Sequence, residues 1–245
     1  MGPRDNREVY RRKEVVSRFD SRRNIGRRGD FVNRLEVSTF LDSIQIAEMR
    51  SQKVTVLDVG AGTGKLAIPL AQQGYRVTAL DSSGLMLSEL RKKCRALELK
   101  IDVVQGDILQ ADFKNGFDVV VSSRVLMHVA DPSKMIETLC RASSSLVILD
   151  APRLASPNII NVLARRLTGK GEVYGCFRES YLRAEFRNNG FQVISSKRLF
   201  RIPIRLHLII NNPFLSTLLE RFLVPLQPFS SVCFLAAQGG GRSQA

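Results

Sequence analysis

Residues 54–67, VTVLDVGAGTGKLA, constrain this chain more than any other stretch. Val54, Val56, Leu57 and Val59 make an apolar, β-rich strand that runs straight into a turn carrying Gly60, Gly62 and Gly64. A helix-compatible segment follows over residues 65–73. Strand, glycine turn and helix in that order let the backbone come close to a nucleotide-like ligand. The flanking residues decide which ligand. A phosphate-cradling loop needs G-x-x-x-x-G-K-[ST], but Val59 occupies the earlier glycine position, and Leu66 after Lys65 has no hydroxyl for Mg²⁺. A dinucleotide fingerprint needs G-x-G-x-x-G, and Lys65 stands at its third position. What remains is D-x-G-x-G-x-G, with Asp58 closing the strand.

Further strand-tip signals follow at regular spacing. Residues 76–93 read as a second strand ending at Asp81, then a helix starting near Ser82 and Met86. Asp81 lies about 20 residues beyond the glycine turn, where a carboxylate can accept from both ribose hydroxyls. Residues 101–113 supply a third strand with Asp107 and Ile108 just after it. Residues 117–129 supply a fourth, ending in Ser122, Ser123 and Arg124, and residues 145–152 a fifth. In this order and spacing the chain resembles the class I S-adenosylmethionine (SAM) dependent methyltransferases. The resemblance covers roughly residues 54–152.

It implies an α/β fold: a Rossmann-like seven-stranded sheet with helices on both faces and an antiparallel last strand. It also implies SAM as cofactor, held by Asp58, Gly60, Ala61, Gly62, Gly64, Asp81, Ser82, Met86, Asp107, Ile108, Ser122 and Ser123. In the family the third-strand acid accepts from the adenine amino group. The amide after it, here Ile108, donates to a ring nitrogen.

Charge is unevenly distributed. The formal net charge of +14 divides into +4 over residues 1–50, +1 over 51–150 and +9 over 151–245. A nearly neutral core with basic flanks favours an anionic partner: a membrane face, a nucleic acid, or an acidic substrate. Nucleic-acid binding calls for aromatics interleaved with the basic residues. The chain has no tryptophan, and its tyrosines (Tyr10, Tyr75, Tyr174, Tyr181) are scattered. The four cysteines include no C-x-x-C pair, and the two histidines, His128 and His207, are far apart, so no metal site is expected. The cysteines read as reduced packing residues of a cytoplasmic protein. No apolar run is long enough to span a bilayer.

Residues 1–50 form a basic N-terminal cap, residues 51–152 the SAM-binding core, and residues 153–245 the substrate-side completion of the same domain. The segment containing Phe19-Asp20-Ser21-Arg22-Arg23, Gly29-Asp30-Phe31 and Glu36 is similar to the lead-in of type-11-like methyltransferases. Those include quinone-pathway and lipid- or glycan-associated enzymes. That similarity implies a cap over the cofactor, with Arg28 reaching its methionine end. An amphipathic helix is expected from about residue 30 to 48, and another over 157–168. A further helix ends at Asn189-Gly190, with a sixth strand after it. Residues 230–237 supply the last strand. Between these two strands lies an apolar, proline-cut insert, residues 201–228, which reads as a lid, a membrane contact or a dimer face.

His128, in the stretch His128-Val129-Ala130-Asp131-Pro132, is the candidate base. Arg124, Arg153 and Tyr174 are candidate substrate contacts. The expected reaction is methyl transfer to O or C of a small hydrophobic or lipid-linked acceptor, by a cytoplasmic protein able to sit peripherally at a membrane. A nucleic-acid or protein acceptor and a non-catalytic partner subunit remain open, as does the oligomeric state.

Overall fold

A computed structural model describes residues 13–17, 30–46, 54–114, 116–156, 175–202, 204, 207, 210 and 212–240. Its centre is a seven-stranded sheet in the order β3-β2-β1-β4-β5-β7-β6. The strands are β1 (Thr55–Val59), β2 (Arg76–Asp81), β3 (Asp102–Gln105), β4 (Phe117–Ser122), β5 (Ser143–Pro152), β6 (Phe191–Leu199) and β7 (Val232–Gly239). The first five run parallel, whereas β7 is antiparallel to both β5 and β6. The order reverses at β1 and β4, so a crevice opens beyond their carboxyl ends, where open α/β sheets bind ligands.

Central strands are buried on both faces, and their alternating residues feed two cores. Val56, Val119, Val121, Ile148 and Phe234 face one core, completed by α2 (Asp30–Ile46), α3 (Ala67–Gln72) and α4 (Gly84–Ala96). Leu57, Val59, Val120, Val147 and Leu149 face the other, completed by α5 (Pro132–Ala142) and α6 (Glu179–Asn188). A short helix α1 (Lys13–Ser17) precedes these, and α7 (Pro213–Phe222) lies between β6 and β7.

Local chemistry sets the helix starts. The Ser83 hydroxyl accepts from the Met86 amide at 3.3 Å to begin α4. Asp131 accepts from the Lys134 amide at 2.9 Å with Pro132 in the first turn of α5, so the Asp-Pro pair after His128 is a helix start. Asn212 and Pro213 begin α7 in the same way.

Cap helix α2 is part of the core. Phe40 and Ile44 are fully buried, and the Phe40 ring meets Phe234 of β7 edge-on at 5.3 Å. Each such side chain contributes roughly 1.5–3 kcal/mol of burial. Arg28, Tyr174 and the helix expected over residues 157–168 lie outside the described residues. No helix among the described residues is long and apolar enough to cross a membrane.

Candidate cofactor site

The glycine turn closes over the tip of β2. The amides of Gly60 and Ala61 donate to the Leu80 carbonyl at 2.8 and 3.1 Å, and the Gly64 amide to that of Ala61 at 2.9 Å. The Gly62 amide donates to Asp81 Oδ2 at 2.9 Å. These donors are engaged inside the protein, so the turn gives a ligand close approach rather than free amides. Gly60 and Gly64 have φ of +75° and +92°. A Cβ at Gly60 would fall 2.2 Å from Val125 Cγ2, and one at Gly64 2.4 Å from Leu90 Cδ1. Only glycine fits either position.

Asp81 also accepts from the Ser83 amide at 2.8 Å, through Oδ1. Burial raises its pKa, and the two amides oppose that rise. Two amide bonds leave further lone pairs on the carboxylate for a ligand's hydroxyls. At the tip of β3, Asp107 accepts from the Leu109 amide at 3.0 Å, and Ile108 is buried beside it. Ser122 is buried and its hydroxyl donates to the Val59 carbonyl at 3.2 Å, tying the β4 and β1 tips together. Met86 is buried, and Ser82 is half-buried in the turn leading to α4.

Below the turn a small cavity is lined by Asn33, Asp58, Gly60, Ala61, Gly62, Thr63, Lys65, Leu66, Ser123 and Arg124. Asp58 is the unusual member. It is 1% exposed, and its Oδ2 has no hydrogen-bond partner. Burial pushes its pKa up to about 7; the Ala67 amide opposes that rise and neighbouring Asp81 adds to it. A buried carboxylate oxygen without a donor, facing a cavity, suits a cationic ligand group.

Around this cavity stands a charge cluster. Glu36 of α2 is fully buried and accepts from Lys65 and from the Arg124 guanidinium, whose Nε lies at 3.1 Å. Burial would raise the Glu36 pKa, yet Arg124 and Lys65 outweigh it and hold the carboxyl below its ordinary value. Asp150, at the end of β5, accepts from the Arg124 amide and from the Ser123 hydroxyl, the latter at 3.4 Å. Burial and the nearby Glu36 charge push Asp150 up to about 6, against Lys65 and Arg124. Arg124 has a left-handed φ of +58°, which the Asp150 bond holds in place.

The structure therefore gathers Asp58, Gly60, Ala61, Gly62, Ser123 and Arg124 around one cavity, with Asp81 behind the turn. Gly64 shapes the turn from its far side. Arg124, expected to face substrate, has its guanidinium on Glu36. Arg153 is buried and donates to the carbonyls of Pro228 and Ser230 at 2.7 and 3.3 Å, so it tethers β5 to the turn before β7 and is not among the cavity-lining residues. His128 ends a single 3₁₀ turn, Leu126–His128, beyond β4, half-buried and outside the cavity lining.

Sequence reasoning missed Glu36, Lys65 and Asp150 as parts of this site. Asp150 carried a usable signal, since it is an acid two residues before the end of a strand. Glu36 carried only its place in the lead-in resemblance; its pairing was not readable, because its partners stand 29 and 88 positions away.

Comparison with known proteins agrees with this architecture. Residues 56–146 match the family described as "Methyltransferase domain". Over that segment the chain is similar to SAM-dependent methyltransferases. It is 30% identical over 108 residues to the ubiquinone biosynthesis O-methyltransferase of Rickettsia typhi, covering 44% of each chain. It is 44% identical over 76 residues to the cypemycin N-terminal methyltransferase of a Streptomyces species, covering 31% of this chain and 30% of that one. The chain thus spans less than half the length of these curated relatives. The crystal structure of magnesium protoporphyrin IX methyltransferase from Synechocystis, with bound S-adenosylhomocysteine (SAH), overlays with a TM-score of 0.71 at 19% identity. That overlay covers 96% of this chain and 98% of the other, and it concerns the fold alone.

Proposed function

We propose that this protein binds SAM at the glycine turn and transfers a methyl group to O or C of a small hydrophobic or lipid-linked acceptor. The observation that carries the reading is the unpartnered Asp58 oxygen in a cavity lined by Gly60 and Gly62, with Asp81 behind the turn on the Gly62 amide. It meets the need of a cofactor that combines positive charge with a ribose diol. The matched relatives support the chemistry, and the Rickettsia enzyme's name supports a small hydrophobic acceptor.

When bound, SAM supplies a methyl group already activated for displacement. The chain's task is alignment and exclusion of water. Gly60 and Gly62 allow the backbone to approach closely, and Asp81 accepts from the ribose hydroxyls. Asp107 and Ile108 hold the adenine edge, with Ser82 and Met86 flanking it. Ser122 and Ser123 fix the β4 tip. Asp58 opposes the positive end, and α2 closes the cavity from above. Such positioning is worth about 7–11 kcal/mol of barrier in well-oriented systems.

For a hydroxyl or acidic-carbon acceptor we assign proton removal to His128, on the turn just beyond β4. His128→Asn should lower kcat by roughly 10²- to 10⁴-fold with little change in SAM affinity. An unchanged kcat removes that role. We place the protein in the cytoplasm, with peripheral access to a membrane. The four cysteines are free, and burial pushes Cys140 and Cys233 up to about 12, which leaves them unreactive.

Calorimetric titration with SAM and SAH tests the binding. Both should bind, and Asp81→Ala should weaken each by about tenfold or more, the loss expected for a buried charge-assisted contact. Heat from neither ligand would favour a non-catalytic partner subunit.

A further inference from the structure

Helix α7 is turned inside out. Its buried residues are polar, Ser216 and Glu220, while its large apolar residues face outward beside Thr217 and Arg221. Phe214 and Phe222 are 76% and 72% exposed, and Leu215 and Leu218 stand exposed between them. The 3₁₀ segment that follows, Val224–Phe229, adds exposed Leu226 and Phe229. A surface helix in water has the opposite arrangement.

The inversion is built in. Glu220 accepts from the Arg201 amide at 3.1 Å, from the Arg201 guanidinium at 3.3 Å, and pairs with His207 Nε2 at 2.9 Å. His207 is buried between the rings of Phe31 and Phe200, at 5.0 and 5.9 Å. Rotating α7 to bury its phenylalanines would pull Glu220 out of this pocket, leaving the Arg201 guanidinium uncompensated and His207 Nε2 without its carboxylate.

We propose that the outer face of α7 and the following 3₁₀ turn is an interfacial anchor that lies flat on an anionic phospholipid bilayer. Charge identifies the occupant. Between residues 191 and 240 the only acid is Glu220, and it is buried. Arg221 is exposed beside Phe222, and residues 151–245 carry a net +9. A face of exposed phenylalanine and leucine, bordered by Arg221 and, among the described residues of 191–240, without an outward carboxylate, matches an anionic headgroup layer above acyl chains. A second copy would set Arg221 and the same stretch against itself, with no exposed acid among the described residues of 191–240 to answer it. At ten residues α7 is too short to span, so it lies in the interface plane.

The inference deepens the reading of a lipid-soluble acceptor and rests on it only for its purpose. His207 meets Phe31 at the start of α2, the helix that closes the cofactor cavity, so an adsorbed α7 holds that lid beside the lipid.

Co-sedimentation of the full chain with phosphatidylcholine vesicles, with and without phosphatidylglycerol, tests the anchor. The wild type should pellet with the anionic vesicles. The pair Phe214→Ser and Phe222→Ser should lower the partition by about tenfold or more. The pair Phe214→Leu and Phe222→Leu should restore most of it. Both pairs should keep the wild-type circular dichroism, melting and calorimetric SAM uptake, because both side chains are exposed.

Equal partition of wild type and serine pair, or absence of the wild type from anionic pellets, overturns the anchor. So does a dimer that the serine pair dissociates, since it assigns this face to a second copy. Loss of SAM uptake with vesicle binding intact would count against the methyltransferase reading alone.

Discussion

Asp58 and Glu36 are buried carboxylates whose pKa values are displaced in opposite directions, Asp58 upward and Glu36 downward. Burial raises Asp58 to about 7, so its contribution to apo stability is complete below the ordinary aspartate range and is lost as pH rises through about 7. A cationic ligand needs the ionised form and reverses the sign. SAM affinity should therefore climb as pH passes about 7, while the apo melting temperature falls. Asp58→Asn should flatten both curves; paired calorimetry and thermal melts across that range check this. Glu36 is held below its ordinary value, so its stabilisation is present at neutral pH and fades as pH falls into the acid range. Replacing it with alanine strands Lys65 and Arg124 and should cost about 3–5 kcal/mol in urea unfolding at neutral pH.

Among the elements, β1 with its glycine turn was readable from sequence because the constraint is local: Gly60 and Gly64 need left-handed backbone within a few residues of Asp58. The β2, β4 and β5 tips were readable for the same reason. Helix α2 was readable as amphipathic and the lead-in resemblance singled out Glu36, but its burial against Lys65 and Arg124 was not readable, since only the tertiary fold brings them together. Helix α7 was harder still. Its leucines and phenylalanines have the spacing of a core face, and only the tertiary contacts of Glu220 show that they point outward. The α2 contact makes a test of its own. Phe40→Ala, which empties a fully buried site against Phe234, should destabilise the protein by roughly 3–5 kcal/mol, read from the denaturant midpoint. A loss below 1 kcal/mol would mean that α2 is docked loosely and is not a structural layer.

For the molecule as a whole, the charge gradient from a neutral core to basic flanks sets which partners come near. Non-specific RNA should bind at low salt and release as salt rises, because counterion release supplies almost all of such binding. The exposed phenylalanines of α7 sit among leucines with one exposed arginine, not interleaved with cations as stacking platforms require. Fluorescence anisotropy with a labelled single-stranded oligonucleotide across a salt series would reveal it. Tight binding that persists at physiological ionic strength would move the acceptor toward nucleic acid.

The position of β7 has a consequence for how the protein is made. Among the described residues β6 bonds to no strand but β7, and β7 follows β6 and α7 in the chain. As the polypeptide leaves the ribosome, β1 to β5 can pair while translation continues, but β6 emerges with nothing to join. It waits through some thirty residues of further synthesis, with an oily helix trailing behind it, until the last strand threads in beside β5 and closes the gap. During that wait a chaperone or a membrane surface would meet the nascent chain at its most adhesive.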